Sequence, residues 1–248
     1  MRITVLQHDI AWMKPQESLQ HLDTLMEQAP ECDVCLLTEM FPTGFCTQAD
    51  EAAEPARDGM ALTWMRQKAR QMDAAVAGSV AVSENGQFYN RLYFVRPDGS
   101  TTHYDKRHLF SYGGEDRSYS PGRSRAVAHF RGVRFLLLTC FDLRFPLWSR
   151  YRGDYDVILY AANWPAKRKL AWQTLLRARA IENQCYVAGA NRVGSDPQCE
   201  YSGDSAIIHP YGHELAACPA GQEAFARATI DLQAMHDYKL KFPMGSDE

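Results

Sequence analysis

The sequence predicts an α/β domain with α+β character, built on mixed sheets, and three observations carry that expectation. The unbroken apolar run at 135–138 (F-L-L-L) and the largely apolar stretch 33–38 (D-V-C-L-L-T) read as strands buried on both faces. Stretches with apolar residues at helical spacing alternate with them. Two tight-turn signals in succession, Asn85-Gly86 and Asp98-Gly99, require antiparallel neighbours. The sheet is therefore mixed, which disfavours a simple doubly wound nucleotide fold.

Taken in order, residues 3–7 form a first strand, and 18–28 a helix with Leu19, Leu22, Leu25 and Met26 at helical spacing. Residues 33–38 form the second strand, with Glu39 just past its end and a Pro/Gly-marked loop (F-P-T-G-F) at 41–45. A helix over 61–72 places Leu62, Met65, Ala69 and Met72 on one side. The run 74–82 is a third buried strand, and the turn at Asn85-Gly86 leads into 88–95. The turn at Asp98-Gly99 leads into 100–104. Residues 106–122 form a long polar loop of the kind that is usually functional. After the strand ending at Cys140 come a short helix at 146–151, a strand at 157–160 and a helix over 169–183. That helix is assigned a core stripe of Leu170, Leu175, Leu176 and Ile181. Strands at 185–190, 206–209, 214–217 and 225–230 follow, and the tail from Asp231 reads as short and polar. No linker or repeat divides the chain, so one domain over residues 1–248 is expected.

Composition excludes several classes of function. With 248 residues, 46% apolar and 23% charged, the chain can bury a sizeable core. A net charge of −3 supports neither a nucleic-acid surface nor a strongly anionic one. The eight His residues show no metal-ligand spacing. No apolar run approaches the roughly 20 residues of a membrane span, and the N-terminus lacks the apolar core of a secretory signal. Seven cysteines, irregularly spaced, then read as free thiols in a reducing cytosol, so a cytoplasmic protein is expected. Cys32 and Cys35 form a C-x-x-C, but it leads into a strand and no second pair completes a zinc site. Core packing is the simpler reading of both.

Chemistry concentrates where predicted strands end. Cys140 closes the 135–138 strand, with Asp142, Arg144 and Pro146 beside it, and strand ends are where sites of α/β sheets gather. A thiol of ordinary pKa is mostly unreactive at neutral pH and needs a base or a cation. Glu39 can take its proton, and Lys106, just past Tyr104-Asp105, can stabilise negative charge. No His near these stretches offers itself as the base, which counts against a papain-like arrangement.

At L-L-T-E-M-F (36–41), Y-D-K-R-H-L-F (104–110) and C-F-D-L-R-F-P (140–146), the sequence resembles the nitrilase superfamily of carbon–nitrogen hydrolases. Similarity continues through A-R-A-I-E-N-Q (178–184) and Y-S-G-D-S (201–205). The resemblance implies a four-layer αββα sandwich and a Glu-Lys-Cys triad acting through a thioester. By position, Glu39 is then the general base, Lys106 the oxyanion stabiliser, Cys140 the nucleophile and the Phe141 N–H a second oxyanion donor. Glu115 takes the place of a second carboxylate that many members carry. The pattern departs at Thr38, where many members have Pro, and at Phe141, where Tyr is common.

N-W-P at 163–165 and A-N-R-V-G-S-D at 190–196 look like bacterial omega-amidases, which act on 2-oxo acid monoamides such as 2-oxoglutaramate and 2-oxosuccinamate. Such a substrate carries a carboxylate remote from its amide, and a guanidinium is its natural partner. Arg168 is placed for that role, with Asn163, Trp164, Phe41 and Phe45 as pocket candidates. Hydrolysis of another short aliphatic amide or of an N-carbamoyl amino acid is the alternative. The resemblance further implies a small-molecule amide substrate, no cofactor or metal, no nucleic-acid or membrane partner, and a homodimer.

Overall fold

The structure, a computed structural model, describes residues 1–244, so the last four residues of the expected domain lie outside the described residues. In chain order, β1 (Arg2–Gln7), α1 (Pro15–Met26), β2 (Val34–Leu36), α2 (Ala49–Ala52), β3 (Glu54–Pro55) and α3 (Met60–Met72) come first. β4 (Ala75–Glu84), β5 (Gln87–Val95) and β6 (Thr101–Asp105) form the predicted antiparallel succession. They are followed by the long loop, β7 (Val127–Phe130) and β8 (Val133–Thr139). Next come α4 (Pro146–Ser149), β9 (Val157–Ala162), α5 (Lys169–Asn183), β10 (Tyr186–Asn191) and a hairpin of β11 (Val193–Ser195) and β12 (Glu200–Ser202). β13 (Ala206–Ile208), β14 (Glu214–Ala217), β15 (Ala224–Thr229) and α6 (Leu232–Lys241) close the described chain.

Two mixed sheets result. One runs β15-β1-β2-β4-β5-β6, with β3 added beside β4, and the other runs β14-β13-β10-β9-β8-β7. β1, β2 and β4 are mutually parallel, as are β8, β9 and β10, while the outer strands pair antiparallel. Strand alternation explains the layering. Ile3, Val5, Val34, Leu36, Ala75, Ala77, Leu92 and Phe94 face the second sheet in one shared core with Phe135–Leu138 and residues 157–162. The alternate positions, Leu6, Cys35, Leu37, Val76, Val80, Tyr93 and Val95, face outward onto α1 and α3. Trp172, Leu176 and Ala180 of α5 cover the far side of the second sheet. The arrangement is the expected αββα sandwich. Cys32 and Cys35 are both buried in the α1/α3 layer among aliphatic and aromatic side chains.

Three features depart from the sequence reading. In α5 the buried positions are Trp172, Leu176, Arg179, Ala180 and Asn183, whereas Leu170 and Ile181 are 74% and 47% exposed. The helix turns a partly polar face inward because Arg179 finds a buried acceptor there, its guanidinium donating to the Leu143 carbonyl at 2.6 Å and also reaching the exposed Glu182 at 2.9 Å. The tail beyond Asp231 is the helix α6, capped by the Asp231 carboxylate accepting from the Ala234 N–H at 3.0 Å. Its only fully buried side chain is Met235, so it leaves almost no periodic signal. The β11–β12 hairpin and the strand β7 were not expected at all. Among the described residues no helix is long and apolar enough to cross a membrane.

Candidate active site

Glu39 lies three residues beyond β2, and its segment is clamped by Ser79 of β4. The Ser79 Oγ accepts the Met40 N–H at 2.8 Å and the Ser79 carbonyl accepts the Phe41 N–H at 3.1 Å. Thr38, where the resemblance expects Pro, donates its hydroxyl to His8 Nε2 at 3.0 Å. That ring is fixed in one tautomer because its Nδ1–H donates to the Asp9 carbonyl at 2.8 Å. Burial holds His8 neutral, its pKa lowered to about 4.

Lys106 follows β6 directly. Its N–H donates to the Asn90 carbonyl of β5 at 2.9 Å and its carbonyl accepts from Gly122 at 2.9 Å. Only glycine fits at 122, since a Cβ there would sit 1.9 Å from the Asp105 carbonyl oxygen. Cys140 begins a short 3-10 turn (Cys140–Arg144) at the end of β8, with φ of +44°. A non-glycine residue held there stores strain on the order of 1 kcal/mol, which persists only where neighbours over-determine it. Asp142, fully buried, is one such neighbour. It accepts from Thr139 N–H (3.1 Å), Tyr104 OH (2.8 Å), His108 N–H (3.0 Å) and His108 Nδ1 (2.8 Å), tying the Cys140 turn to the Lys106 segment.

The predicted groups converge. Lys106 Nζ donates to Glu39 Oε1 at 2.8 Å and to Glu115 Oε1 and Oε2 at 3.1 and 2.9 Å, and all three side chains are 0% exposed. Glu115 is further held by the Phe110 N–H on Oε2 at 2.6 Å. The Asn163 N–H donates to Glu39 Oε2 at 2.9 Å, and its Nδ2 donates to the Glu39 carbonyl at 2.8 Å. Cys140, 8% exposed, faces the same cavity as Glu39 and Lys106.

The electrostatics follow from burial and pairing. Burial alone would lower the Lys106 pKa, but attraction to Glu115 and Glu39 outweighs it and raises it. Burial raises Glu115, with the nearby Glu39 charge adding to it and Lys106 opposing. Burial and the Glu39 carboxylate push the Cys140 thiol well up, so it rests protonated. A neutral thiol beside a carboxylate and an ammonium is an arrangement in which attack must be coupled to proton transfer.

The cavity measures about 280 Å³, the scale of a short linear molecule. Phe45, Phe110, Phe141 and Trp164 line it, and the Lys106 ammonium sits over the Phe45 ring at 5.4 Å. Phe41 does not line it and packs on Trp64 at 5.7 Å, so its expected place in the pocket wall is corrected to the α3 layer. Arg168 is at the wall, its guanidinium 5.2 Å from the Phe110 ring centre. Arg144 also lines the cavity, over Trp164 at 5.0 Å. Among the described residues neither guanidinium has a carboxylate partner within ion-pair distance. Asp196, Cys199 and Tyr201 of the unexpected β11–β12 hairpin complete the rim. Sequence reading passed over Arg144 as a pocket residue, although it lies four residues beyond Cys140, and over Asn90 of β5 entirely. Asn90 shares its strand face with Leu92 and Phe94, so its polar side chain on an inward face was the available signal.

Fold and site together define a carbon–nitrogen hydrolase. The sequence profile of the Carbon-nitrogen hydrolase family matches residues 2–240, and the chain belongs to that family, within the nitrilase superfamily. Among characterised relatives, it is 46% identical to "Omega-amidase YafV" of Escherichia coli (strain K12), covering 100% of this chain and 96% of that one. It is 37% identical to "2-oxoglutaramate amidase" of Bacillus subtilis (strain 168), covering 99% and 96%. Among solved structures, a CN-hydrolase superfamily protein of Xanthomonas campestris with an arsenic adduct in its active site superposes with a TM-score of 0.93. That protein is 38% identical, over 98% of this chain and 95% of that one.

Proposed function

We propose that the protein is an amidase that hydrolyses the terminal amide of a small 2-oxo acid monoamide, of the 2-oxoglutaramate or 2-oxosuccinamate kind, to the acid and ammonia. The observation that carries this reading is one cavity lined by a buried Glu-Lys-Cys cluster and by two guanidiniums that have no carboxylate partner among the described residues. The names of the relatives in Escherichia coli and Bacillus subtilis support it.

In this scheme Cys140 Sγ attacks the amide carbon while its proton passes to Glu39. Lys106 and the Phe141 N–H stabilise the oxyanion. Collapse breaks the C–N bond, and ammonia leaves with the proton returned by Glu39. Glu39 then takes a proton from water, whose oxygen attacks the thioester. The thiolate leaves and recovers that proton, restoring the resting site. Glu115 holds Lys106 in place from the far side. No metal or organic cofactor enters the scheme, and the catalytic unit is the single domain of the sandwich.

Arg168, with Arg144, is assigned to the remote carboxylate, while Asn163, Trp164 and Phe45 shape the amide end. Arg168→Ala and Arg144→Ala are each expected to lower kcat/KM for 2-oxoglutaramate by about 1.5–3 kcal/mol, the range for a hydrogen bond to a charged group. A neutral short amide should lose far less. Ammonia release from 2-oxoglutaramate, 2-oxosuccinamate, glutamine, N-carbamoyl-β-alanine and a neutral amide checks both points. Equal losses for charged and neutral substrates would assign the arginines to the walls alone and favour the short-amide alternative.

A cytoplasmic homodimer belongs to the same reading. Leu147 just past Cys140, and Leu170 and Ile181 on one face of α5, are exposed apolar groups that a second copy would cover. Sedimentation as a monomer at micromolar concentration would remove that part.

A further inference from the structure

We infer that Asn90 is a positioning residue of the reaction, holding Glu39 and Glu115 apart around the single ammonium of Lys106. The inference rests on the reading of Glu39 as the general base. It starts from a count of donors in a sealed space. Two carboxylates and one ammonium, all 0% exposed, must be satisfied without bulk water. Asn90, also fully buried, is the neutral side chain that donates to both carboxylates, its Nδ2 reaching Glu39 Oε1 at 2.8 Å and Glu115 Oε1 at 3.0 Å. Each of its two amide hydrogens is thereby committed to a different carboxylate.

The orientation of that amide is determined from the other side. The Ser79 hydroxyl donates to Asn90 Oδ1 at 2.8 Å, while Ser79 Oγ accepts the Met40 N–H beside Glu39. A flipped amide would point its oxygen at two carboxylate oxygens and face the Ser79 hydroxyl with N–H, so only one orientation satisfies every group. The Asn90 backbone carbonyl also accepts the Lys106 N–H at 2.9 Å. One residue of β5 therefore fastens all three charged segments. With Oε1 of Glu39 occupied by Lys106 and Asn90, and Oε2 held by the Asn163 N–H, the carboxylate has one rotamer in which to meet Cys140.

The electrical consequence is directional. The ionisable groups facing this cluster are Glu39, Glu115, Lys106, Cys140 and the buried Tyr119. A donor shared by two carboxylates favours their charged forms. Without it, the coupled cluster takes up a proton at higher pH and loses its base. The acid limb of the kcat/KM profile reports that protonation in the free enzyme, as a property of the coupled cluster.

Asn90 does not line the cavity, so KM is not its natural readout. In Asn90→Asp, an isosteric third carboxylate replaces the donor. The acid limb is expected to move up by about one pH unit or more, with kcat at pH 7 down about tenfold or more and KM within about twofold. Ser79→Ala, which releases the amide oxygen, should move the limb the same way by less. If Asn90→Asp does not fold, Ser79→Ala decides. An acid limb unmoved in the folded variants, with only thermal stability changed, would overturn the inference and leave Asn90 as packing. Glu39→Gln run in parallel separates the two levels. Wild-type turnover in Glu39→Gln would refute the general base itself, whereas a dead Glu39→Gln with an unmoved limb in Asn90→Asp would refute Asn90 alone.

Discussion

Cys140→Ala is expected to abolish amide hydrolysis while the chain stays folded. Among the cavity thiols, Cys140 is the one set against Glu39 and Lys106, so its removal deletes the attacking atom. Alanine keeps a Cβ at the position with φ of +44°, so the backbone strain of the turn is unchanged. Losing one buried sulfur should cost about 1 kcal/mol of stability, far too little to unfold a domain of this size. Ammonia release and a thermal melt on the same sample check both halves. Turnover within about tenfold of wild type would sink the covalent mechanism, since a catalytic nucleophile contributes orders of magnitude. A substrate-derived adduct on Cys140 by mass spectrometry would mark the thioester directly.

Lys106→Ala is expected to cost both activity and stability. An oxyanion donor in a water-excluded site contributes roughly a hundredfold to a thousandfold in kcat. Truncation also leaves Glu39 and Glu115, both 0% exposed, with their shared cation gone. Breaking a buried pair by removing one partner typically costs about 3–5 kcal/mol. Burial then raises the Glu115 pKa further, with the Lys106 charge gone and only hydrogen bonds such as that from Asn90 opposing it. A group whose folded pKa lies above its unfolded value stabilises the fold at pH below the unfolded value, and that stability is lost as pH rises through the folded one. The variant should therefore be least destabilised in acid and most destabilised above neutrality. Urea unfolding at pH 5 and pH 8 measures this. A smaller deficit at pH 8 than at pH 5 would show that the carboxylates are not left unpaired.

The three strand ends that carry Glu39, Lys106 and Cys140 were legible because each couples a local burial pattern to a reactive residue. Residues 34–37 and 135–138 are apolar without a break, so a charged or thiol side chain shortly afterwards stands out. Glu115 was legible only through resemblance, since nothing in S-Y-G-G-E-D-R distinguishes a loop carboxylate from one buried on a lysine. Asn90 was missed because a single amide in an apolar strand resembles ordinary sequence variation. Leu170 and Ile181 misled because apolar type was taken for burial, and an exposed apolar side chain is common.

By itself, the sequence determined the alternation of strands and helices, the antiparallel stretch after Asn85-Gly86, and the identity of the reactive groups. These depend on neighbours within a few residues, which a one-dimensional pattern records. Tertiary structure decided which groups share a cavity. The bonds that define the site join residues 51, 67 and 124 positions apart, Asn90 and Lys106 to Glu39, and Asn163 to Glu39. It also decided that Arg144 and Arg168 line one cavity, and that residues of the β11–β12 hairpin line it with them. Such convergence follows from packing two sheets face to face, which brings the ends of β2, β6, β8 and β9 together in space, and no spacing along the chain encodes that distance.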